Sequence, residues 1–403
     1  MKFCPSCVSC HEVDDSSGNT VEDCGRRHLP EEDLQAKEII EYHGYAAEEH
    51  DVTTVDGYII RLHRIPVSIE NAGNAAVLLL HGLAASSTSF ITNEPKQCLA
   101  FLLADRGYDV WLGNVRGNLF CQRHRNLTSE DPKFWRFRFV QVIVIVLSWD
   151  EMAAYDFPAT VDYILEKTEK ETVRFVGYSQ GALVGFAALS LLPDLRQKIC
   201  CFVALAPAVT LAYFKSPLRH VNRCVPVMER LLRRCGEPQH GDATKMSKYM
   251  KPFLKNDPFD QLSQNIIFRM IGPDSRKYID KDRIPVYLSH NPAGTSYQNM
   301  VHYLQMMNSR QLRHFDYGLV KNFLKYGQAR PPIYPLENVD VPLYIIWSEK
   351  DVYANRKDIE LLFSRVRHAK ELKITDYSHL DFLWANNVGE TVYSRVIEFL
   401  EQF

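Results

Sequence analysis

A pentapeptide, Gly-Tyr-Ser-Gln-Gly at residues 177–181, constrains the fold of this chain more than any other feature. It follows an apolar run at residues 172–176 and precedes a stretch of small residues at 182–188. This pattern predicts a strand, a sharp turn and a helix, with Ser179 at the apex of the turn. The flanking glycines let strand and helix approach closely around a strained serine. The arrangement is typical of a nucleophile elbow.

A serine at such a turn needs a base and a carboxylate, which in this architecture follow in the order Ser, Asp or Glu, His. Residues 341–347 predict a buried strand, and Asp351 lies on the loop beyond it. Residues 370–374 predict a final strand, and His379 comes just after it. We therefore predict Ser179 as nucleophile, His379 as general base and acid, and Asp351 as the carboxylate that orients the imidazole. An ordinary structural histidine is the alternative for His379, but its place after the last strand favours catalysis.

A third requirement is a pair of donors for an oxyanion. The apolar run at residues 77–80 followed by His81-Gly82-Leu83 predicts a strand with a tight loop beyond it. We predict that the backbone N–H groups of Leu83 and Gln180 form the oxyanion hole. The place of His81 before Gly82 suits loop structure better than base chemistry, so we assign it no proton transfer.

Composition bounds the class of protein. The chain has 403 residues, of which 46% are hydrophobic and 24% charged, which indicates a globular protein with one large domain or a core plus an insertion. A formal net charge of -2, without an extended basic stripe, gives no reason to expect a nucleic-acid partner. The most apolar stretch, residues 139–147, is far shorter than the roughly 20 residues that span a bilayer, so we predict no transmembrane helix. The predicted chemistry needs no metal or organic cofactor, and the sequence does not indicate an oligomeric state.

The order of predicted elements indicates an α/β fold. Residues 48–55 and 58–66 alternate on both sides of Asp56-Gly57 and predict a β-hairpin. Near-continuous apolar strands then alternate with helical patterns, which predicts a mostly parallel sheet buried on both faces; these strands are residues 75–80, 108–112, 173–178, 199–206 and 343–347. Amphipathic helical segments replace this alternation afterwards. The predicted organisation is a leader at 1–32, a core at 33–206 and 338–403, and a largely helical cap at 207–337.

The ten cysteines fall into three groups. Four cysteines lie in the polar leader, which we predict to be disordered. Their number would allow a zinc site, but we prefer the interpretation that these thiols bind nothing. Two in the cap would form a disulfide in an oxidising compartment or stay reduced elsewhere. Four are predicted to behave as small apolar residues of the core. In order, the groups are Cys4, Cys7, Cys10 and Cys24; Cys224 and Cys235; and Cys98, Cys121, Cys200 and Cys201.

Further motifs run from about Leu34 to the C-terminus, at residues 44–45, 54–58, 81–83, 107–114, 150–153, 289–296 and 379–382. Together they resemble the acid lipases of the gastric and lysosomal type, within the α/β-hydrolase superfamily. The resemblance implies an α/β-hydrolase fold whose cap follows the strand after the nucleophile helix. It also implies hydrolysis of triacylglycerols or steryl esters at an oil–water or membrane interface. Ser179, Asp351, His379, Leu83 and Gln180 match the family's catalytic and oxyanion positions.

The chain departs from this family in three places, one of which is that the closely spaced cysteine pair that the family carries late in its cap has no counterpart here. The family is normally exported, whereas residues 1–7 turn polar at once and do not resemble a signal peptide. We favour an alternative or misassigned start, with a secreted or lysosomal protein, over a cytoplasmic one, and the sequon beginning at Asn126 adds slight support. The β-prone segment 138–147 interrupts a family run; we prefer a translated splice remnant to an added membrane-contacting loop.

Three competing functions remain open at the level of sequence. The same elbow would serve an acyltransferase or an esterase for small esters, since the acceptor and the substrate are chosen by the pocket. A non-catalytic lipid carrier is disfavoured because all three triad residues are present. Aromatic residues of the cap would line an acyl channel or simply pack their own helices; they are Tyr213, Phe214, Phe268, Tyr297 and Tyr303.

Overall fold

The computed structural model describes residues 11–14, 20–23, 28–67, 75–127, 148–214 and 277–403. The strands of these residues are β1 His11–Asp14, β2 Thr20–Asp23, β3 Glu48–Thr53, β4 Tyr58–Ile65, β5 Ala76–Leu80, β6 Asp109–Gly113, β7 Arg123–His124, β8 Val173–Tyr178, β9 Ile199–Leu205, β10 Leu343–Ser348 and β11 Lys370–Ile374. The helices are α1 Ala36–Tyr42, α2 Leu99–Asp105, α3 Trp149–Glu151, α4 Phe157–Thr168, α5 Gln180–Leu191, α6 Pro193–Lys198, α7 Ile284–His290, α8 Tyr297–Ser309, α9 Leu319–Tyr326, α10 Arg356–Arg365, α11 Asp381–Trp384 and α12 Ser394–Leu400.

A nine-stranded sheet forms the centre of the molecule. Its strand order is β11-β10-β9-β8-β5-β6-β4-β3, and β7 pairs with β4. The strands from β6 to β11 along this order pair in parallel, while every pair that includes β4 is antiparallel. All residues of β5 and β6 are buried, as expected for parallel strands covered by helices on both faces. The prediction of an α/β fold with a mostly parallel sheet is confirmed.

The predicted hairpin is the pair β3 and β4. Gly57 in its turn has a φ of +96°, which glycine adopts without strain. The turn is fastened to the interior by Arg116, whose buried guanidinium donates to Asp56 at 2.6 Å and to Asp156 at 2.6 Å. Because both acidic groups surround it, the buried charge is paired and the hairpin is held against the start of α4.

Part of the predicted leader, residues 1–32, lies among the described residues. β1 and β2 pair antiparallel, with Val13 opposite Val21, and Pro30–Glu32 form a 3₁₀ turn. Glu31 of this turn is buried and accepts a hydrogen bond from Arg283 at 3.1 Å. The 3₁₀ turn can therefore pack with Glu31 buried, because the guanidinium of Arg283 compensates the charge of its carboxylate. The four leader cysteines lie outside the described residues.

Between β9 and β10 the described chain contains α7, α8 and α9, which agrees with the helical character predicted there. Arg283, just before α7, ties this segment to the core through Glu94 at 3.0 Å and the carbonyl of Thr92 at 2.8 Å. Several predictions lie outside the described residues: the nature of segment 138–147, the Cys224–Cys235 pairing and the position of Phe268.

The predicted core cysteines are largely confirmed. Cys98, Cys121 and Cys201 are buried, whereas Cys200 is partly exposed at the edge of the core. Among the described helices, none combines the length and the apolar character that a bilayer crossing requires.

Candidate active site

A strained serine stands between the end of β8 and the start of α5. Ser179 has φ 52° and ψ -109°, the conformation of a sharp strand-to-helix turn. A Cβ atom at Gly181 would overlap the carbonyl oxygen of Leu80, and one at Gly177 would lie 2.6 Å from the nitrogen of Ala182. Only glycine fits at either position, so the pentapeptide is the elbow that its sequence predicts.

The structure brings Ser179, His379 and Asp351 together. The Nε2 atom of His379 lies 2.8 Å from the Oγ atom of Ser179, and its Nδ1 atom lies 2.7 Å from the Oδ2 atom of Asp351. These three residues come from the turns after β8, β10 and β11, because parallel strands deliver their carboxyl ends to one edge of the sheet. The result is one continuous hydrogen-bonded chain from hydroxyl to carboxylate.

Backbone groups fix the two partners of the serine. The Oδ1 atom of Asp351 accepts hydrogen bonds from the backbone N–H groups of Tyr353 at 2.7 Å and Ala354 at 3.0 Å. Its other oxygen is thereby turned toward His379. The hydroxyl of Tyr178 donates to the carbonyl of His379 at 2.9 Å and restrains the histidine loop. Both Asp351 and His379 are buried, so their hydrogen bond is shielded from water.

Aromatic side chains cover the imidazole. The ring of Tyr353 lies 4.8 Å from that of His379, and the ring of Phe214 lies 5.0 Å from Tyr353. Burial, followed by the charge of Asp351, raises the pKa of Tyr353 to about 12. This phenol therefore stays neutral and acts as a wall rather than as an acid or base. Phe214, one of the predicted channel aromatics, is buried beside it.

The other aromatic residues of the predicted channel have different surroundings. Tyr303 is buried in α8, and its hydroxyl lacks a hydrogen-bond partner among the described residues. Tyr213 is partly exposed. The backbone of Tyr297 begins α8, but its side chain lies outside the description. Packing, the alternative to an acyl channel, fits Tyr303 best.

The loop after β5 lies against the serine. A Cβ atom at Gly82 would come within 3.3 Å of the Cβ atom of Ser179, which places Leu83 beside the nucleophile. Within the described residues the N–H of Leu83 makes no backbone hydrogen bond. The N–H of Gln180 is the first of α5 and has no acceptor within that helix. Among the described residues, both N–H groups are therefore without a backbone acceptor.

His81 is a neutral structural residue of this loop. Its Nδ1 atom lies 2.8 Å from the carbonyl oxygen of Gly82 and donates to it, while its Nε2 atom accepts from Asn118 at 3.2 Å. Burial lowers the pKa of His81 to about 4. Both nitrogens of this neutral imidazole are thus engaged in hydrogen bonds within the loop.

Asn299 is a site neighbour that sequence reasoning missed. This buried residue of α8 donates from Nδ2 to the side-chain oxygen of Gln180 at 2.7 Å. Its own oxygen accepts the N–H of Trp149 at 3.0 Å. Thus a helix of the segment between β9 and β10 holds the side chain next to the nucleophile. The available signal was the position of Asn299 just after the motif at residues 289–296.

Two adjacent acidic residues, Asp150 and Glu151, are buried in the short helix α3. Asp150 accepts hydrogen bonds from the N–H of Phe315 at 2.8 Å and from the hydroxyl of Tyr334, while Glu151 accepts from the N–H of Ser148 at 2.9 Å. Burial, followed by the charge of Asp150, raises the pKa of Glu151 to about 7. Neither carboxylate contacts the triad, so this pair belongs to the support of α9 rather than to the chemistry. Among the described residues, no cluster of three or more His, Cys, Asp or Glu side chains is arranged to hold a metal ion.

Known proteins match nearly all of this chain. A family model described as a partial alpha/beta-hydrolase lipase region matches residues 36–94, and one for the alpha/beta hydrolase fold matches residues 75–256. Gastric triacylglycerol lipase of Bos taurus is 37% identical over 380 residues, which cover 93% of this chain and 92% of the relative. Lipase member K of Homo sapiens is 38% identical over 386 residues, with 94% of each chain covered. This protein belongs to the acid lipase family of α/β-hydrolases.

Solved structures agree on the fold of this acid lipase. A putative lipase from Sulfolobus solfataricus has a TM-score of 0.53 at 15% identity and covers 85% of this chain and 90% of its own. The epoxide hydrolase VrEH1 from Vigna radiata has a TM-score of 0.50 at 15% identity, with coverages of 89% and 98%. The resemblance carried by the sequence motifs and the expected α/β-hydrolase fold are confirmed. As a member of this family, the protein is a carboxylic-ester hydrolase of the lipase type.

Proposed function

We propose that this lipase cleaves neutral lipid esters, triacylglycerols or steryl esters, through an acyl-enzyme on Ser179. The observation that carries the proposal is the unbroken hydrogen-bonded chain from Ser179 through His379 to Asp351. A serine hydroxyl is a weak nucleophile until a base removes its proton, and a histidine in the correct tautomer supplies that base.

Acylation follows from the distances. The Oγ atom of Ser179 attacks the ester carbonyl carbon while its proton passes to Nε2 of His379. Asp351 accepts the Nδ1–H bond, holds the productive tautomer and stabilises the imidazolium that forms. The negative oxygen of the tetrahedral intermediate is bound by the N–H groups of Leu83 and Gln180. The intermediate collapses, the C–O bond to the alcohol breaks, and the alcohol takes the proton from His379.

Deacylation repeats these roles with water. Water attacks the acyl carbon, gives one proton to Nε2 of His379, and forms a second tetrahedral intermediate at the same oxyanion donors. Collapse releases the fatty acid and returns the proton to Ser179. Transfer to another alcohol would use the same steps, and exclusion of water from the pocket would decide between transferase and hydrolase.

The substrate class rests on two observations. Relatives that match over nine-tenths of the chain include the gastric triacylglycerol lipase of Bos taurus. The wall beside His379 is apolar, being formed by Tyr353 and the buried Phe214. An apolar surface at that position suits an acyl chain better than a polar acid.

The decisive experiment compares the protein with its Ser179→Ala variant on a 4-nitrophenyl ester series, emulsified triolein and cholesteryl oleate between about pH 4 and 8. Loss of all turnover in the variant supports the serine mechanism, and preference for the emulsions supports a lipase over a small-ester esterase. Equal rates of folded parent and variant on every substrate would contradict the proposal and favour a lipid carrier.

We also infer that the protein is exported or lysosomal. Its kinship with gastric lipases supports this, and Asn126 of the sequon is exposed. The test is the mobility of the native protein before and after glycosidase treatment, with Asn126→Gln as the control. A cytoplasmic protein without any mobility change would contradict the inference.

A further inference from the structure

Helix α9 exposes its apolar residues to water and buries the amide side chain of Asn322. Leu319, Val320, Phe323 and Leu324 are exposed by 64%, 70%, 54% and 73%, whereas Asn322 is exposed by only 1%. A surface helix normally buries its apolar stripe and exposes its amide side chains. Since a buried polar residue and an exposed apolar patch are the informative departures from this rule, the inversion requires an explanation.

Hydrogen bonds hold the helix in this inverted orientation. The Oδ1 atom of Asn322 accepts from the N–H of Tyr317 at 3.0 Å. Its Nδ2 atom donates to Asp316 at 2.8 Å and to the carbonyl oxygen of Ala329 at 2.8 Å. The segments before and after α9 are thus both tied to one amide. Rotating the helix to bury the apolar residues would break all three bonds.

The apolar residues form one continuous face. At about 100° per residue, their positions span an arc of about 140°. Lys321 lies about 60° beyond one edge of this arc, whereas Lys325 lies on the opposite side of the helix and donates to the hydroxyl of Tyr317 at 2.7 Å. Over residues 310–330 the chain carries five basic residues and one acidic residue, a net charge of 5 - 1 = +4 with histidine neutral; these are Arg310, Arg313, Lys321, Lys325, Arg330 and Asp316.

We propose that α9 is the surface through which this lipase docks onto lipid. The idea rests on the proposed function, since a water-insoluble ester forms a separate phase that the enzyme must reach. A short helix with an exposed apolar face in a basic segment is suited to lie in the plane of a lipid surface. Hydrolysis releases fatty acids whose carboxylates make that surface negative, and the positive charge around α9 complements them.

Contacts connect this docking helix with the nucleophile. The Nζ atom of Lys325 lies 3.9 Å from Glu151, in the same short helix α3 as Trp149. The N–H of Trp149 donates to Asn299, and Asn299 donates to the side chain of Gln180. A chain of contacts through buried residues therefore connects α9 with Gln180, which is next to Ser179. Such a connection suits a helix that binds the lipid surface from which the substrate is taken.

The test measures binding without turnover. In the Ser179→Ala background, the double change Phe323→Gln and Leu324→Gln is compared with the parent by flotation with vesicles of phosphatidylcholine containing oleic acid. Removing two large apolar contacts should weaken partitioning by about tenfold or more. The matched control is Leu361→Gln, which changes an apolar residue of α10 that is exposed by 39% and should leave partitioning unchanged.

A second arm uses the active enzyme. The double variant should lose rate on triolein emulsions but keep its rate on soluble 4-nitrophenyl butyrate, which also demonstrates that it is folded. Vesicle binding equal to that of the parent, or the same loss in the Leu361 control, would overturn the proposal. So would a parent dimer that the double variant dissociates, because the face would then bind a second copy. Failure of the proposed function is separate: the parent would not cleave the soluble ester, while vesicle binding of the Ser179→Ala protein would be unaffected.

Discussion

Replacing Asn299 by leucine tests whether α8 supports the oxyanion side of the site. Leucine has a similar size but neither accepts nor donates a hydrogen bond. The change leaves the N–H of Trp149 and the side-chain oxygen of Gln180 without the partners that lie at 3.0 Å and 2.7 Å. An unsatisfied buried polar group costs about 1–3 kcal/mol, so for these two groups we expect the free energy of unfolding to fall by about 2–6 kcal/mol.

The same change should reach catalysis through Gln180. Its side chain loses a tether while its backbone N–H serves as a proposed oxyanion donor. Deleting such a donor costs about 10²–10³ in kcat, and a displaced donor should cost less, about tenfold. Because the oxyanion forms only in the transition state, kcat should fall while KM for a soluble ester stays nearly constant.

The assay combines urea unfolding with kcat and KM on 4-nitrophenyl butyrate. Asn386→Leu is the matched control, since it changes the same residue type at an exposed position after α11 and should alter neither quantity. A normal kcat in a folded but destabilised Asn299→Leu protein would refute the catalytic part of the reasoning. Unchanged stability would refute the hydrogen-bond argument itself.

Three further outcomes are expected. Asp351→Asn should lower kcat by about 10⁴, as in serine triads where the carboxylate becomes an amide, and a loss below about tenfold in ester turnover would contradict the assigned role. Burial raises the pKa of Glu151 from 4.5 to about 7, so the folded state binds more protons than the unfolded state between these values and stability should fall as the pH rises through that window. In urea unfolding at pH 5 and pH 8, Glu151→Gln should reduce this loss of stability between the two pH values by up to about 3 kcal/mol. The same loss in the parent and the variant would contradict the prediction. Gly181→Ala should lower the melting temperature more than Gly185→Ala, because its Cβ meets the backbone oxygen of Leu80 whereas the other meets aromatic rings; the reverse order would be inconsistent with a tight elbow.

Local patterns were sufficient for the sheet and for the elbow. β8 and β11 have the predicted bounds, because the apolar and alternating patterns that indicate a strand involve only adjacent residues. The elbow could be predicted because glycine at 177 and 181 answers a local steric demand. The order of Ser179, Asp351 and His379 along the chain is the order in which α/β-hydrolases carry their triad after successive strands, so these three residues could be predicted together.

Contacts between distant residues could not be predicted in this way. Asn299 and Gln180 are 119 residues apart, and nothing near either residue specifies the other. Glu31 and Arg283 are 252 residues apart, and their pairing is what makes part of an apparently disordered leader pack. The apolar residues of α9 have the spacing of a buried helix face, yet in the structure they are exposed and Asn322 is buried. Periodicity shows that a helix has two faces, but only tertiary packing decides which face meets water, because that choice depends on hydrogen-bond partners supplied by other segments.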